Sequence, residues 1–317
     1  MMQSNTSQAR ILWIDWMKTM GMFFIILGHF FSIGYTYIYV FSVPLFFVIS
    51  GFLTRKEEQH AIFWKKLFFN LIVPMGIICL ALYFWKVHIS TLGFMSLPAY
   101  IIGASIGSQE CLDTCWFVYT LIILKIIFQY TPQDKHIHFF IFISLTITAY
   151  ILNGLGIQGK NAILNITVAY QPFIIGYYLK QWRNQLCSSW EPALEVFLLL
   201  VSIILVWVCG HFNGDVWMYR NGYGNYFSLY LIGTIAGTTH IYILCKHLPA
   251  RLEFIATTIS KGNILILGFQ MVFIYICRQY FPDKSLLDTL FSLLILLLFI
   301  PIIIFAEHYF PYLLGKR

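Results

Sequence analysis

Charged side chains are scarce in this sequence. Asp, Glu, Lys and Arg together make up 10% of its 317 residues, against roughly 25% in an ordinary globular domain. Hydrophobic residues make up 59%. At about 20 residues per transmembrane helix and about 10 per connection, the length allows around ten spans and leaves no remainder for a soluble catalytic domain. The composition therefore predicts an integral membrane protein in which residues 1–317 form a single transmembrane domain with no soluble domain.

Signatures of cysteine chemistry are also missing. The seven cysteines show no C-x-x-C spacing, which argues against both a zinc site and a disulfide framework. Cys111 and Cys115 are the one close pair, and Glu110 and Asp113 lie beside them. This group has two interpretations, ordinary loop cysteines or a metal or oxidation site, and the spacing favours the first. We therefore predict no metal.

The sequence does not predict a secretory signal either. The first apolar run already contains Asp15 and Lys18, and no small-residue cleavage site follows it. We expect this run to be retained as the first of ten segments long enough to cross a hydrocarbon core of about 30 Å. The ten runs are at about 11–33, 35–54, 66–85, 115–130, 137–153, 162–179, 193–210, 226–245, 262–280 and 285–306. The predicted fold class is an all-α, polytopic membrane helix bundle of about ten transmembrane helices.

Basic residues outnumber acidic ones by 20 to 13. In a soluble chain this excess would suggest nucleic acid, but in a membrane protein it first reports topology, because cytoplasmic loops are enriched in Lys and Arg. With a cytoplasmic N-terminus, the inner side receives Arg10, Arg55, Lys56, Lys65, Lys66, Lys135, Lys180, Arg183, Lys246, Arg251, Lys261, Lys316 and Arg317. The outer side receives Lys86, Lys160, Arg220, Arg278 and Lys284. We therefore predict two cytoplasmic termini in a multi-pass cell-membrane protein that contacts lipid and has no nucleic-acid partner.

Two predicted outer connections are longer than the others. Residues 86–114 have room for a short interfacial helix or for a simple surface loop. Residues 211–225 combine Trp and Tyr with Asn, Asp and Arg. This mixture suits sugar rings, which stack on aromatic groups and need hydrogen bonds, although aromatic residues also collect at any bilayer interface.

The first predicted helix carries three ionisable residues, which are costly inside a membrane and are therefore functional candidates. At 100° per residue, Asp15, Lys18 and His29 lie on one face. Lys18 and His29 are about 16 Å apart along the axis, a spacing that suits the two ends of one elongated ligand. A neutral imidazole is also the group best matched to moving a proton near neutral pH.

Uncharged polar residues also occur in later spans. Ser50 and Gly51 end the second span, where helix packing is the simplest explanation for the glycine. Asn263 and Gln270 are seven residues apart in the ninth span and share a face. Interhelical hydrogen bonds explain each of these residues singly, so they stay candidates for ligand binding.

Three segments occur in a distinctive order: RILWIDWMKTMGMFFIILGHF at 10–30, PLFFVISGFL at 44–53 and CWFVYTLIILK at 115–125. They resemble membrane acyltransferase family 3, and within it the fucose 4-O-acetylase-like sugar O-acetyltransferases. The family pattern has Arg, Asp, a second basic residue and Gly-His on its first helix, which match Arg10, Asp15, Lys18 and His29. The second basic residue is Arg in much of the family.

The family's F-F-x-x-S-G-F run matches the segment with Ser50 and Gly51, and its Trp-Phe pair begins at Trp116. The stretches IIGYYLKQ at 174–181 and SKGNILILGFQ at 260–270 are similar to two further family blocks. The second block often ends in His, where this chain has Gln270. The resemblance extends over nearly the whole length and is most specific in the first fifty residues.

The resemblance implies an O-acyltransferase that moves an acetyl or other short acyl group from cytoplasmic acetyl-CoA to a hydroxyl of a cell-surface or lipid-linked glycan. His29 is then expected to act as general base or transient acyl carrier, with Lys18 as its catalytic partner. Arg10 would help Lys18 to orient the acyl donor, and Asp15 would hold Lys18 or the first helix in place. Donor or substrate contacts are further expected at Ser50, Gly51, Trp116, Asn263 and Gln270.

A transporter or flippase of a glycan or small molecule is the alternative function. Such a protein also places polar residues in a ten-helix bundle, but its mark is a matched pair of interrupted helices in two halves. Pro44, Pro74 and Pro172 form no matched set. The oligomeric state stays open.

Overall fold

Long apolar segments fold into helices here because a bilayer offers backbone groups no water, so each peptide group must bond within its own segment. The computed structural model describes residues 11–89, 95–159, 161–182, 190–282 and 286–315. The helices of this part of the chain are α1 (Leu12–His29), α2 (Tyr35–Tyr39), α3 (Ser42–Leu53), α4 (His60–Leu67), α5 (Val73–His88), α6 (Leu97–Ser105), α7 (Gln109–Leu112), α8 (Trp116–Tyr130), α9 (Lys135–Gly154), α10 (Ile166–Leu179), α11 (Pro192–Asn213), α12 (Phe227–Lys246), α13 (Glu253–Lys261), α14 (Asn263–Tyr280) and α15 (Leu287–Tyr309). A π-helical turn at Phe68–Ile72 joins α4 to α5. The predicted all-α fold class is confirmed.

Nine helical segments within the described residues are long and apolar enough to cross a membrane. They are Tyr35–Leu53, His60–His88, Gln109–Tyr130, Lys135–Gly154, Ala162–Trp182, Pro192–Asn213, Phe227–Lys246, Asn263–Tyr280 and Leu287–Tyr309. They correspond to nine of the ten predicted spans.

The tenth predicted span is α1, which is helical over 18 residues but is not one of the nine apolar segments. Its Asp, Lys and His residues lower its mean hydropathy. The bundle accommodates these three polar residues because α1 is packed among other helices at the centre of the bundle rather than against lipid. It contacts α2, α3, α12, α13, α14 and α15.

The connection at 86–114 contains helices, as one of its two interpretations predicted. α6 and α7 occupy most of its described part. A short 3₁₀ turn at Asp113–Cys115 then leads directly into α8. This turn brings the end of the connection against the interior of the bundle.

Two glycines allow α3 and α10 to cross in backbone contact. A Cβ atom at Gly51 would overlap the carbonyl oxygen of Phe173, and a Cβ atom at Gly176 would overlap that of Val48. Small residues permit this close approach of membrane helices. The structure therefore places Gly51 at a helix crossing, in agreement with the simplest explanation of that residue.

Candidate active site

A cavity of about 590 Å³ lies beside α1 in the centre of the bundle. One stripe of α1, formed by Met22, Ile25 and His29 at spacings of three and four residues, supplies one wall. The middle of the cavity is apolar and is completed by Val43, Phe46, Leu71, Phe117, Val118, Leu121, Leu267 and Met271. The end near His29 is polar and aromatic, with Lys86, Gln109, Glu110, Asp113, Trp217 and Tyr219. A ligand in this cavity therefore has an apolar passage and one polar end.

His29 is the last residue of α1 and lies in the cavity wall. Its Nδ1 lies 2.7 Å from the carbonyl oxygen of Ile25, one turn earlier. A carbonyl oxygen accepts hydrogen bonds, so Nδ1 carries the proton and Nε2 keeps its lone pair. Among the described residues this is the one hydrogen bond of the ring, and Nε2 has no partner. The ring is thus held in the tautomer that a general base requires.

The helix end that carries His29 is anchored by an ion pair from two other helices. Arg278 of α14 donates a hydrogen bond to the carbonyl oxygen of Phe30 and pairs with Asp288 of α15 at 3.0 Å. Its guanidinium also lies 4.9 Å from the centre of the Phe30 ring. The carbonyl groups at a helix end lack partners within the helix, so Arg278 both satisfies one of them and fixes its position.

A second ion pair lies at the polar end of the cavity. Lys86, at the end of α5, lies 3.0 Å from the Asp113 carboxylate and also donates to the carbonyl oxygen of Glu110 at 2.9 Å. The backbone φ of Asp113 is 50°, in the left-handed region that residues other than glycine enter at a cost and that recurs at functional sites. The sequence did not identify this pair, because the two residues are 27 positions apart and neither lies in a distinctive motif.

Aromatic rings from residues 211–225 cover the same end. Trp217 lies in the cavity wall and packs against Phe31 and Tyr39, with ring centres 5.8 and 5.5 Å apart. Tyr219 follows it, with a ring distance of 5.7 Å. Gln109 donates to the Tyr219 backbone carbonyl and so ties this connection to the one that carries Asp113. The two long predicted outer connections therefore meet above His29.

Asn263 and Gln270 line the cavity from α14. Gln270 is fully buried, yet neither its Nε2 nor its Oε1 has a hydrogen-bond partner in the part of the chain that the structure describes, and the same is true of Asn263 Oδ1. Buried amides are normally bonded, so such atoms in a cavity wall are available to a ligand. Seven residues of helix separate the two side chains by about 10 Å along the passage.

The other predicted residues have different surroundings. Trp116 lines the cavity. Asp15 is buried and accepts a hydrogen bond of 2.5 Å from Ser260 Oγ on α13. Lys18 is not a lining residue of the cavity, but it continues the α1 stripe one turn beyond Met22. Ser50 also does not line the cavity.

Arg10 lies outside the described residues. Within the described residues, no group of three or more His, Cys, Asp and Glu side chains is arranged to hold a metal ion. Of the two acidic residues beside Cys111 and Cys115, Asp113 pairs with Lys86 through its carboxylate, whereas Glu110 accepts from Lys86 through its backbone carbonyl oxygen.

A family model matches residues 11–307, which are most of the chain. It describes the acyltransferase domain of acyltransferase family 3. Comparisons with curated proteins and with solved structures found no match. The matched segment includes α1 and every described residue of the cavity wall. The chain therefore belongs to acyltransferase family 3 and is a multi-pass membrane acyltransferase.

Proposed function

We propose that this acyltransferase moves an acetyl group from acetyl-CoA to a hydroxyl of a cell-surface or lipid-linked glycan. The observation that carries the proposal is the state of His29 in the cavity wall: its Nδ1 donates to the Ile25 carbonyl oxygen, and its Nε2 has no hydrogen-bond partner among the described residues. A thioester is already activated toward attack, so the enzyme mainly has to make the acceptor oxygen nucleophilic and stabilise the tetrahedral oxyanion.

The proposed reaction uses this geometry. His29 Nε2 accepts the proton of the acceptor hydroxyl while the hydroxyl oxygen attacks the thioester carbon. The tetrahedral intermediate collapses when the carbon–sulfur bond breaks, and the CoA thiolate takes the proton back from the imidazolium. In a second route Nε2 attacks the thioester carbon, and the carbon–sulfur bond breaks to release the CoA thiolate. The acceptor hydroxyl then attacks the acyl carbon, the carbon–nitrogen bond to Nε2 breaks, and the hydroxyl proton passes to the thiolate.

The carboxylate of Asp113 supports either route, because it faces the same end of the cavity as His29. A carboxylate near a developing imidazolium lowers the energy of that charge. Lys86 keeps this carboxylate in place through their ion pair. Trp116, also in the cavity wall, is the proposed contact for the acyl group.

We assign the apolar passage to the acyl donor. CoA ends in a long thin arm that carries two amide groups before the thioester, and Asn263 and Gln270 present amides along the passage. A donor that enters beside Asn263 brings its thioester toward His29 past Gln270. Lys18, one turn beyond the cavity on the α1 stripe, and Arg10 are the proposed cations that orient the donor at its entrance.

The acceptor is assigned to the polar end. Trp217 and Tyr219 offer ring faces to a sugar, and Gln109, Glu110 and Lys86 offer hydrogen bonds to its hydroxyls. The proposed topology places both termini in the cytoplasm of a cell membrane, so the donor enters from the cytoplasm and the acceptor from the opposite side. Asp15 holds α1 in this arrangement through Ser260.

The test uses membrane vesicles that contain the full chain, [acetyl-³H]acetyl-CoA and glycans from the host cell. We expect label in the glycan fraction and a mass increment of one acetyl group on a glycan species, both absent from vesicles without the chain. Movement of labelled glycan across the membrane without any acyl donor, together with no acetylation, would favour a transporter and contradict the proposal.

Replacing Gln270 with leucine tests the donor passage. We expect the KM for acetyl-CoA to rise about three- to tenfold, the contribution of one or two hydrogen bonds, with a smaller change in kcat. The unfolding temperature should not fall, because the Gln270 amide has no partner to lose. Gln279→Leu is the matched control, since Gln279 is exposed on the same helix. An unchanged KM in the Gln270 variant would remove this residue from the donor site.

A further inference from the structure

A second cavity of about 440 Å³ lies between α9 and α10, separate from the active-site cavity. Its walls are largely apolar, and Lys135, His138, Tyr178 and Trp182 are its polar and amphipathic members. The groove opens on the outer surface of the bundle, where its lining residues Phe139 and Trp182 are 66% and 62% exposed. It shares no lining residue with the cavity at His29.

His138 is the buried polar group of this groove, with 1% of its surface exposed. Its Nδ1 lies 2.9 Å from the Tyr170 hydroxyl, while its Nε2 has no hydrogen-bond partner among the residues that the structure describes. When the Tyr170 hydroxyl donates to Nδ1, the ring proton is on Nε2. The groove then contains a buried N–H donor that lacks an acceptor, and a bound molecule with an ester or phosphate oxygen would supply one.

Lys135 provides a cation one helical turn before His138. It is exposed at the start of α9 and forms no ion pair within the described residues. The neighbouring Asp134 carboxylate is used in capping α9, where it accepts from the His136 backbone N–H at 2.7 Å. Trp182, at the same end of the groove, is a residue type that prefers the bilayer interface. The groove thus combines an apolar channel with a positively charged end at interfacial depth.

We propose that this groove is a binding site for an anionic phospholipid. One acyl chain lies between Phe142 and Ile174, the phosphate lies beside Lys135, and His138 Nε2 donates to an ester or phosphate oxygen. Basic pockets between membrane helices recognise lipid head groups in this way. The inference is independent of the proposed reaction, since the two cavities have no residue in common.

The test is native mass spectrometry of the delipidated full chain in detergent, titrated separately with dioleoyl phosphatidylglycerol and dioleoyl phosphatidylcholine. The two lipids have the same acyl chains and differ in net charge. We expect one phosphatidylglycerol to bind about fivefold more tightly than phosphatidylcholine, the effect of about one lysine near the head group. Lys135→Ala should abolish this preference, and Lys65→Ala, an equally exposed lysine on α4, should retain it.

His138→Phe tests the hydrogen-bond donor separately from the Lys135 cation. It keeps a ring in the groove but removes the N–H donor, so we expect weaker binding of both lipids, which share the ester and phosphate oxygens. Equal affinity of the unmodified chain for the two lipids would overturn the proposal. A preference for phosphatidylglycerol that survives Lys135→Ala would also overturn it. Because Lys135 is exposed, this result can be obtained even if the His138 variant does not fold.

Discussion

Replacing His29 with alanine is expected to lower the acetyl transfer rate by about 10²- to 10⁴-fold, the contribution of a positioned general base. Within the described residues the imidazole has one hydrogen bond, to Ile25 at 2.7 Å, so its removal should change the unfolding temperature little. The measurement is initial-rate acetylation in vesicles with matched amounts of inserted protein. His88→Ala is the control, because His88 is exposed near the end of α5 and does not line the cavity.

A normal rate in a His29→Ala variant that inserts and folds would contradict the mechanism. The same preparation also distinguishes the two routes. Incubation of the unmodified chain with labelled acetyl-CoA in the absence of acceptor leaves label on the protein if Nε2 becomes acylated. Protein that stays unlabelled, with a rate that needs His29, indicates direct attack by the acceptor.

Replacing Gly51 with alanine is expected to prevent folding or to destabilise the bundle by about 1 to 3 kcal/mol or more, the usual cost of overpacking. The added methyl group would overlap the backbone carbonyl of Phe173, and backbone cannot move aside as a flexible side chain can. The measurement is the unfolding temperature and the yield of monodisperse protein in detergent. Activity should fall in parallel with the folded fraction.

Gly76→Ala is the matched control for this variant. Gly76 lies in α5, and a Cβ atom there would have nothing within 4 Å, so we expect an unchanged or slightly raised stability. A Gly51→Ala variant that folds normally but loses affinity for acetyl-CoA would contradict the packing role and would favour the contact with substrate that the motif suggests.

Much of the architecture follows from local sequence. The apolar runs predicted the described spans, because helices are the one way for these segments to bond their own backbone in a membrane. The family motif around His29 also predicted an acyltransferase, which the family match confirms. The helical period further placed Lys18 on the face of His29, although the cavity begins one turn later, at Met22.

The interior of the site depends on contacts between residues distant in sequence. Gln270 could be placed on a helix face from its spacing to Asn263, but not in the same cavity as His29. The ion pair between Asp113 and Lys86 could not be predicted from a sequence pattern. It depends on an irregular turn at Asp113, and the residue types there do not indicate its positive φ. Asp15 accepts a hydrogen bond from Ser260, which is 245 residues away in the sequence.

The sequence by itself determined that this chain is a helical membrane acyltransferase with an imidazole at the end of its first helix. The tertiary structure decided which helices surround that imidazole, which amides lie in its cavity without partners, and that Gly51 lies at a helix crossing. The physical reason is that a helix and its faces depend on a period of 3.6 residues along one segment. The choice of neighbouring helix depends on side-chain packing among all segments at once.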